Sequence, residues 1–189
     1  MKICILMGSP HKDGNTAKLL RQVLDELQNN QIQYETIWLY DQHIEPCRGC
    51  LTCRKTLRCQ FDDDMYSICE KIFDSDTVII ATPIYSWYCT APVKALLDRL
   101  VYGKKQFESE KGVTLWTEKN IALVLTCGAR PEKGTDLLEE GMKRYFSYSK
   151  AKYVGKLVQR DDGPKVEFLT DECKRHAKLF AHQLIDPRE

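Results

Sequence analysis

The alternation of short apolar runs with amphipathic stretches constrains this chain most. Residues 3–7 (ICILM) read as a buried strand, and residues 16–29 follow with Ala17, Leu20, Leu24 and Leu27 on one helical face. Residues 33–39 (QYETIWL) alternate in polarity, as suits the edge of a sheet. Asp62, Asp63 and Asp64 mark an acidic helix start running to about Phe73, and residues 77–81 (TVIIA) form a third strand ending at Thr82 and Pro83. Val93, Leu96, Leu97, Leu100 and Val101 predict a helix that stops before Gly103, held by Lys94, Asp98 and Arg99. A polar stretch, 104–118, has the composition of a lid, a subunit contact or a mobile loop. Then come a fourth strand at 121–126 (IALVLT), a helix striped by Leu138, Met142 and Tyr145, a last strand at 153–158 and a helix over 171–185. Strands separated by helices imply a parallel sheet covered on both faces, a three-layer α/β arrangement. No repeat or linker interrupts it, so the expectation is a single domain over residues 1–189.

In such sheets ligands bind beyond the carboxyl ends of the strands. Three loops, 8–16, 82–90 and 126–131, fall on that edge. In the first, GSPHKDGNT, Gly8 and Gly14 allow tight turns that point N–H groups inward. Ser9, Asn15 and Thr16 add donors, His11 or Lys12 adds charge, and the following helix presents its positive end. Asn15 stands where a P-loop has Lys, and GxGxxG is absent, so a terminal monophosphate fits better than a nucleoside triphosphate or a dinucleotide. The second loop crowds Tyr85, Trp87 and Tyr88 behind Pro83, which suits a flat heterocycle; an exposed subunit interface would also use such aromatics.

Four cysteines, Cys47, Cys50, Cys53 and Cys59, lie at C-x2-C-x2-C-x5-C spacing within PCRGCLTCRKTLRC, the cysteine-rich loop 46–60. That spacing can close on an iron–sulfur cluster, whose negative charge Arg48, Arg54, Lys55 and Arg58 would offset. Tetrahedral zinc and free thiols are the other readings. Cys4, Cys69 and Cys173 read as small core residues, Cys89 and Cys127 as packing near the ring loop, and His43, His176 and His182 as unpartnered surface residues. Lys plus Arg is 28 against 27 Asp plus Glu, which gives no field for nucleic acid or an anionic membrane. MKICILM is too short an apolar run for a signal peptide or a membrane span, so a cytoplasmic, thiol-reducing setting is expected.

Taken in order, GSPHKDGNT, PCRGCLTCRKTLRCQFDDDM, ATPIYSWYCTAPVKALLDR and TCGARPEKG make the chain resemble the flavodoxin-like NAD(P)H-dependent FMN reductases, and within them the iron–sulfur flavoproteins. The resemblance implies a five-stranded parallel sheet ordered 2-1-3-4-5, with FMN at its carboxyl edge. It implies that Ser9, His11, Asn15 and Thr16 bind the phosphate, that Pro83, Ile84, Tyr85, Ser86 and Trp87 flank the ring, and that Thr126 and Gly128 close its other side. His11 departs from the Arg common at that position. NADPH or NADH would be the electron donor, and a 4Fe–4S cluster would sit on Cys47, Cys50, Cys53 and Cys59. A small-molecule acceptor or a redox protein would take the electrons, in a homodimer or a dimer-based assembly. A flavodoxin-type carrier without its own substrate and a zinc-stapled binding module are the alternatives.

Overall fold

The computed structural model describes residues 1–186; the last three residues of the expected 1–189 domain lie outside it. A five-stranded, all-parallel sheet runs in the order β2-β1-β3-β4-β5, the flavodoxin-like arrangement. Its strands are β1 (Lys2–Met7), β2 (Gln33–Trp38), β3 (Thr77–Pro83), β4 (Asn120–Cys127) and β5 (Lys152–Arg160). Helices α1 (Asn15–Asn29), α2 (Thr52–Thr56), α3 (Met65–Phe73), α4 (Ala91–Leu100), α5 (Lys105–Lys111), α6 (Pro131–Gly134), α7 (Asp136–Ser149) and α8 (Asp171–Ile185) connect and cover it.

The apolar runs divide face by face, as period-two side chains must. Cys4, Leu6, Val78, Ile80, Ile121, Leu123 and Leu125 meet α3, α4, α5 and α7 on one side. Ile3, Ile5, Met7, Ile79, Ala81, Ala122 and Val124 meet α1 and α8 on the other. A three-strand centre buried on both faces explains why these strands read as continuous hydrophobic runs, while the edge strand β2 fully buries only Ile37.

The stretch 104–118 is more deeply anchored than its polar composition suggests. It forms α5 and drives Phe107, Leu115 and Trp116 into the core, each no more than 1% exposed. Trp116 packs edge-on to Tyr145 and Phe146 at 6.1 and 5.7 Å, and its Nε1 donates to the Tyr145 hydroxyl at 3.1 Å. Glu108 pairs with Lys104 inside the fold. The segment looked polar because its few apolar residues carry no helical or strand period, yet they are large enough to anchor it.

The connection from β1 leads to β2 on one side, whereas the next strand, β3, lies on the other side of β1. The switch point therefore falls between the carboxyl ends of β1 and β3, where residues 8–14 and 84–90 face each other. The cysteine loop leaves the carboxyl end of the neighbouring β2. Among the described residues no helix is long and apolar enough to cross a membrane.

Candidate functional site

The loop after β1 is held from beneath. Gly8 N–H donates to the Ala81 carbonyl at 2.7 Å, and the Gly8 carbonyl accepts from the Thr90 hydroxyl at 2.7 Å. A Cβ on Gly8 would lie 2.2 Å from Val93 Cγ2, so the close approach of this loop to α4 requires glycine. Ser9 is 4% exposed, and its hydroxyl accepts from the His11 N–H at 3.2 Å. Gly14 caps α1 in extended geometry with no side-chain hydrogen bond, and the first turn carries no acid. The unshared N–H groups and positive end of α1 are thus left for an anion.

Asn15 and Thr16 behave differently from the expectation that both donate freely. Thr16 is buried, and its hydroxyl shares a 2.7 Å hydrogen bond with that of Thr126 beneath the loop. Asn15 Nδ2 donates to Asp161 Oδ2 at 2.9 Å, where Asp161 follows β5. His11 is exposed at the outer side of the loop. Asp161 and Thr90 belong to this constellation and were not foreseen: Asp161 lies in no motif and arrives through strand order, and Thr90, at the end of loop 82–90, gives no local sign of its bond to Gly8.

Across the switch point, Tyr85 and Tyr88 exchange backbone hydrogen bonds of 2.9 and 3.0 Å around a two-residue turn. Its central residues, Ser86 and Trp87, are left-handed at φ 50° and 64°. Non-glycine residues held there cost of order 1–3 kcal/mol each, and such strain concentrates at ligand sites. The turn pushes Trp87 out to 56% exposure and Tyr85 to 51%. Ile84 N–H donates to the Thr126 carbonyl at 2.8 Å, which ties the turn to the end of β4. Ile84, Ser86, Trp87, Cys127, Gly128 and Ala129 line an open cavity of about 170 Å³. Pro83 ends β3 behind it. The Cys127 thiol is buried and donates to the Ala129 carbonyl at 3.3 Å; burial pushes its pKa up, which suits packing rather than nucleophilic chemistry.

The cysteine loop is a closed excursion with a stitched neck. His43 N–H donates to Asp64 Oδ2 at 2.7 Å, Asp64 N–H to the His43 carbonyl at 3.0 Å, and Glu45 N–H to Asp63 Oδ2 at 2.9 Å. Leu51, Leu57 and Gly49 adopt left-handed backbone around the short α2. Arg54 lies over the Tyr102 ring at 4.3 Å, and Arg48 over Phe61 at 5.1 Å. Cys47 and Cys50 are exposed, and Cys53 and Cys59 are partly so. Burial raises the Cys53 pKa, and the charges of Cys59, Cys50 and Cys47 raise it further. Among the described residues no three His, Cys, Asp or Glu side chains converge as a single ion requires.

Two expectations about single residues change. Arg99 does not merely hold its helix: it is 2% exposed and reaches 36 residues back to Asp63. His182, His43 and His176 are exposed but partnered, by Glu26 at 3.0 Å, Glu45 at 3.2 Å and Glu172 at 4.0 Å. Cys4, Cys69 and Cys173 are buried, as the sequence predicts.

The sequence model of the NADPH-dependent FMN reductases matches residues 1–163. The chain belongs to that family. An iron–sulfur flavoprotein of Methanocaldococcus jannaschii is 35% identical over 99 residues, covering 52% of this chain and 51% of that protein. One from Archaeoglobus fulgidus is 37% identical over 106 residues, covering 56% and 48%. The chain thus spans about half the length of the curated relatives it matches. An FMN-dependent NADH-azoreductase from Bacillus anthracis, solved in complex with FMN, superposes with a TM-score of 0.75 at 15% identity over 98% of this chain and all of that one. An NAD(P)H:quinone oxidoreductase from Methanothermobacter marburgensis gives 0.71 at 18% identity over 100% and 98%. At these identities the two structures report the FMN reductase fold alone.

Proposed function

We propose that this FMN reductase family member is an FMN-dependent NAD(P)H oxidoreductase whose site is the carboxyl edge between β1 and β3. The observation that carries the reading is the meeting, at that switch point, of an uncapped helix start with a strained aromatic turn. Bound there, FMN would take a hydride from NADPH or NADH and release the electrons to an acceptor in the same cleft.

The chain's own residues would bind and orient. The first N–H groups of α1, with the Ser9 hydroxyl, are the donors for the phosphate; Asn15, whose side-chain Nδ2 is held by Asp161, contributes its backbone N–H. Thr16 and Thr126 serve it indirectly, their paired hydroxyls fixing the floor under the loop. Pro83, Ile84, Tyr85, Ser86 and Trp87 form one wall of the ring site, and Thr126 with Gly128 the other. Ser86 and Trp87 already hold the conformation that shapes that wall, so little ordering remains on binding. His11, exposed and one turn from the helix start, adds a ring nitrogen beside the loop. The half-exposed Trp87 and Tyr85 favour a homodimer whose partner covers the cleft.

Four thiols in one loop, with a buried N–H group of Arg99 lacking a partner beside them, fit a 4Fe–4S cluster on Cys47, Cys50, Cys53 and Cys59. With the cluster, electrons would leave one at a time to a redox protein; without it, a quinone, a nitro or azo compound, or free flavin is the acceptor. A carrier without a substrate is disfavoured by the balanced charge, +1 overall, since carriers dock through a charged face. The test is the absorption spectrum of anaerobically purified protein, with flavin, iron, sulfide and zinc measured on one sample. One FMN per chain and oxidation of NADPH or NADH are expected. A protein that neither carries nor takes up FMN would overturn the site. Stoichiometric zinc in place of iron and sulfide would overturn the cluster.

A further inference from the structure

A cavity of about 320 Å³ opens between the cysteine loop and α3, α4 and α5, away from the flavin edge. Cys59, Phe61, Asp63, Tyr66, Arg99 and Phe107 are among the residues that line it. Arg99 is the unusual member. Its Nη2 donates to Asp63 Oδ1 at 3.0 Å, its Nη1 contacts the other carboxylate oxygen and donates to the Glu45 carbonyl at 3.3 Å, and its guanidinium lies over the Phe61 ring at 5.3 Å. Glu45 precedes Cys47 and Asp63 follows Cys59, so one side chain clasps both ends of the loop. Its Nε is buried with no hydrogen-bond partner.

A buried guanidinium N–H without an acceptor is rare, because leaving it unpaired forfeits its hydration. Cys59 lines the same cavity as this N–H group. A neutral thiol is a poor acceptor; a metal-bound thiolate is a good one.

We propose that Arg99 is a positioning residue for the cysteine-loop cluster, donating its Nε–H to the Cys59 sulfur and thereby raising the cluster's affinity for an electron. This rests on the cluster reading above. A donor to a ligating sulfur stabilises the more negative, reduced state, so removing it makes the cluster harder to reduce. The clasp and the donor are separate functions of one side chain, and they predict opposite effects at its two partners.

The experiment is an anaerobic redox titration of the full chain, followed by electron paramagnetic resonance, with iron and sulfide counted on each sample. Arg99→Lys keeps the positive charge opposite Asp63 but lacks the directed Nε–H. It is expected to keep its iron and to show about a tenfold lower ratio of reduced to oxidised cluster at a fixed potential, equivalent to about 59 mV for one electron. Asp63→Asn removes a nearby negative charge and keeps the donor, so its ratio is expected to rise. An unchanged ratio in Arg99→Lys would overturn the proposal, as would a fall of the same size in both variants or loss of iron from both, since each assigns Arg99 to holding the loop alone. A wild-type chain that takes up no iron and sulfide on reconstitution would instead overturn the cluster reading, and this inference with it.

Discussion

Substituting Asp63 by Ala should be among the most destabilising single changes available outside the sheet. Its side chain is 1% exposed and meets Arg99, itself 2% exposed, through two charge-assisted contacts. Asp63 also accepts from Glu45 N–H at 2.9 Å, so it closes the neck of the cysteine loop with both charge and geometry. Removing one member of a buried pair strands the other, which costs about 3–5 kcal/mol. Against a total stability of roughly 5–15 kcal/mol this is a large fraction. For a chain of this size each kcal/mol moves the midpoint about 2–4 °C, so a fall of about 6–20 °C is expected. Urea and thermal unfolding of the metal-free protein, followed by far-ultraviolet circular dichroism, measures it. Asp63→Leu combined with Arg99→Met removes both charges and should recover most of the loss, because a well-packed apolar pair avoids the desolvation of two ions. A cost below about 1 kcal/mol for Asp63→Ala would show that water reaches the pair as it reaches surface ion pairs, and the account of the neck would fail.

Gly8→Ala should cost about 1–3 kcal/mol by overpacking, since its Cβ would meet Val93 Cγ2 at 2.2 Å. Val93→Ala in the same chain should return part of that and restore flavin uptake, which equilibrium unfolding and fluorescence titration check together. Trp87→Ala should leave stability within about 0.5 kcal/mol, because the side chain is 56% exposed. It should weaken FMN by up to about tenfold, the value of an aromatic contact of about 0.5–1.5 kcal/mol; unchanged affinity would remove Trp87 from the ring site. Acid should unfold the protein through Asp63, Glu108 and Glu139. Burial opposes ionisation of each, but Arg99, Lys104 and Lys156 respectively outweigh it and hold their pKa values below the ordinary range. Groups depressed in this way stabilise the fold above their unfolded pKa and lose that contribution as pH falls through the folded value. The urea midpoint should therefore hold down to about pH 5 and drop below about pH 4; a midpoint that rises on acidification would contradict the sign.

The strands were legible because burial leaves a local trace. Residues 3–7, 78–81 and 121–125 are apolar without a break, and runs that short, each followed by turn signals, read as strands covered on both faces. With helices between them, right-handed parallel connections follow, and with those the edge on which every candidate loop must lie. That is why Ser9, Ile84, Trp87 and Gly128 could be assigned to one edge from sequence, and why GSPHKDGNT could be read as a loop that opens a helix.

Pairings across the chain leave no such trace. Nothing near Arg99 in sequence announces Asp63, 36 residues earlier, although a charge three residues after Leu96 on the buried stripe of α4 is itself a signal of a partnered ion. Nothing near Thr16 announces Thr126, or near Asn15 announces Asp161, because strand order alone carries the ends of β4 and β5 toward the start of α1. Trp116 and Phe107 were hidden in a polar stretch, since large rings can anchor a segment without any period. The sequence by itself determined the layers, the edge on which the candidate loops lie and the four thiols of the cysteine loop. Only the tertiary structure decided which donors stay free and which are used within the fold, because a hydrogen bond or buried charge is settled by whatever partner the folded chain carries to it.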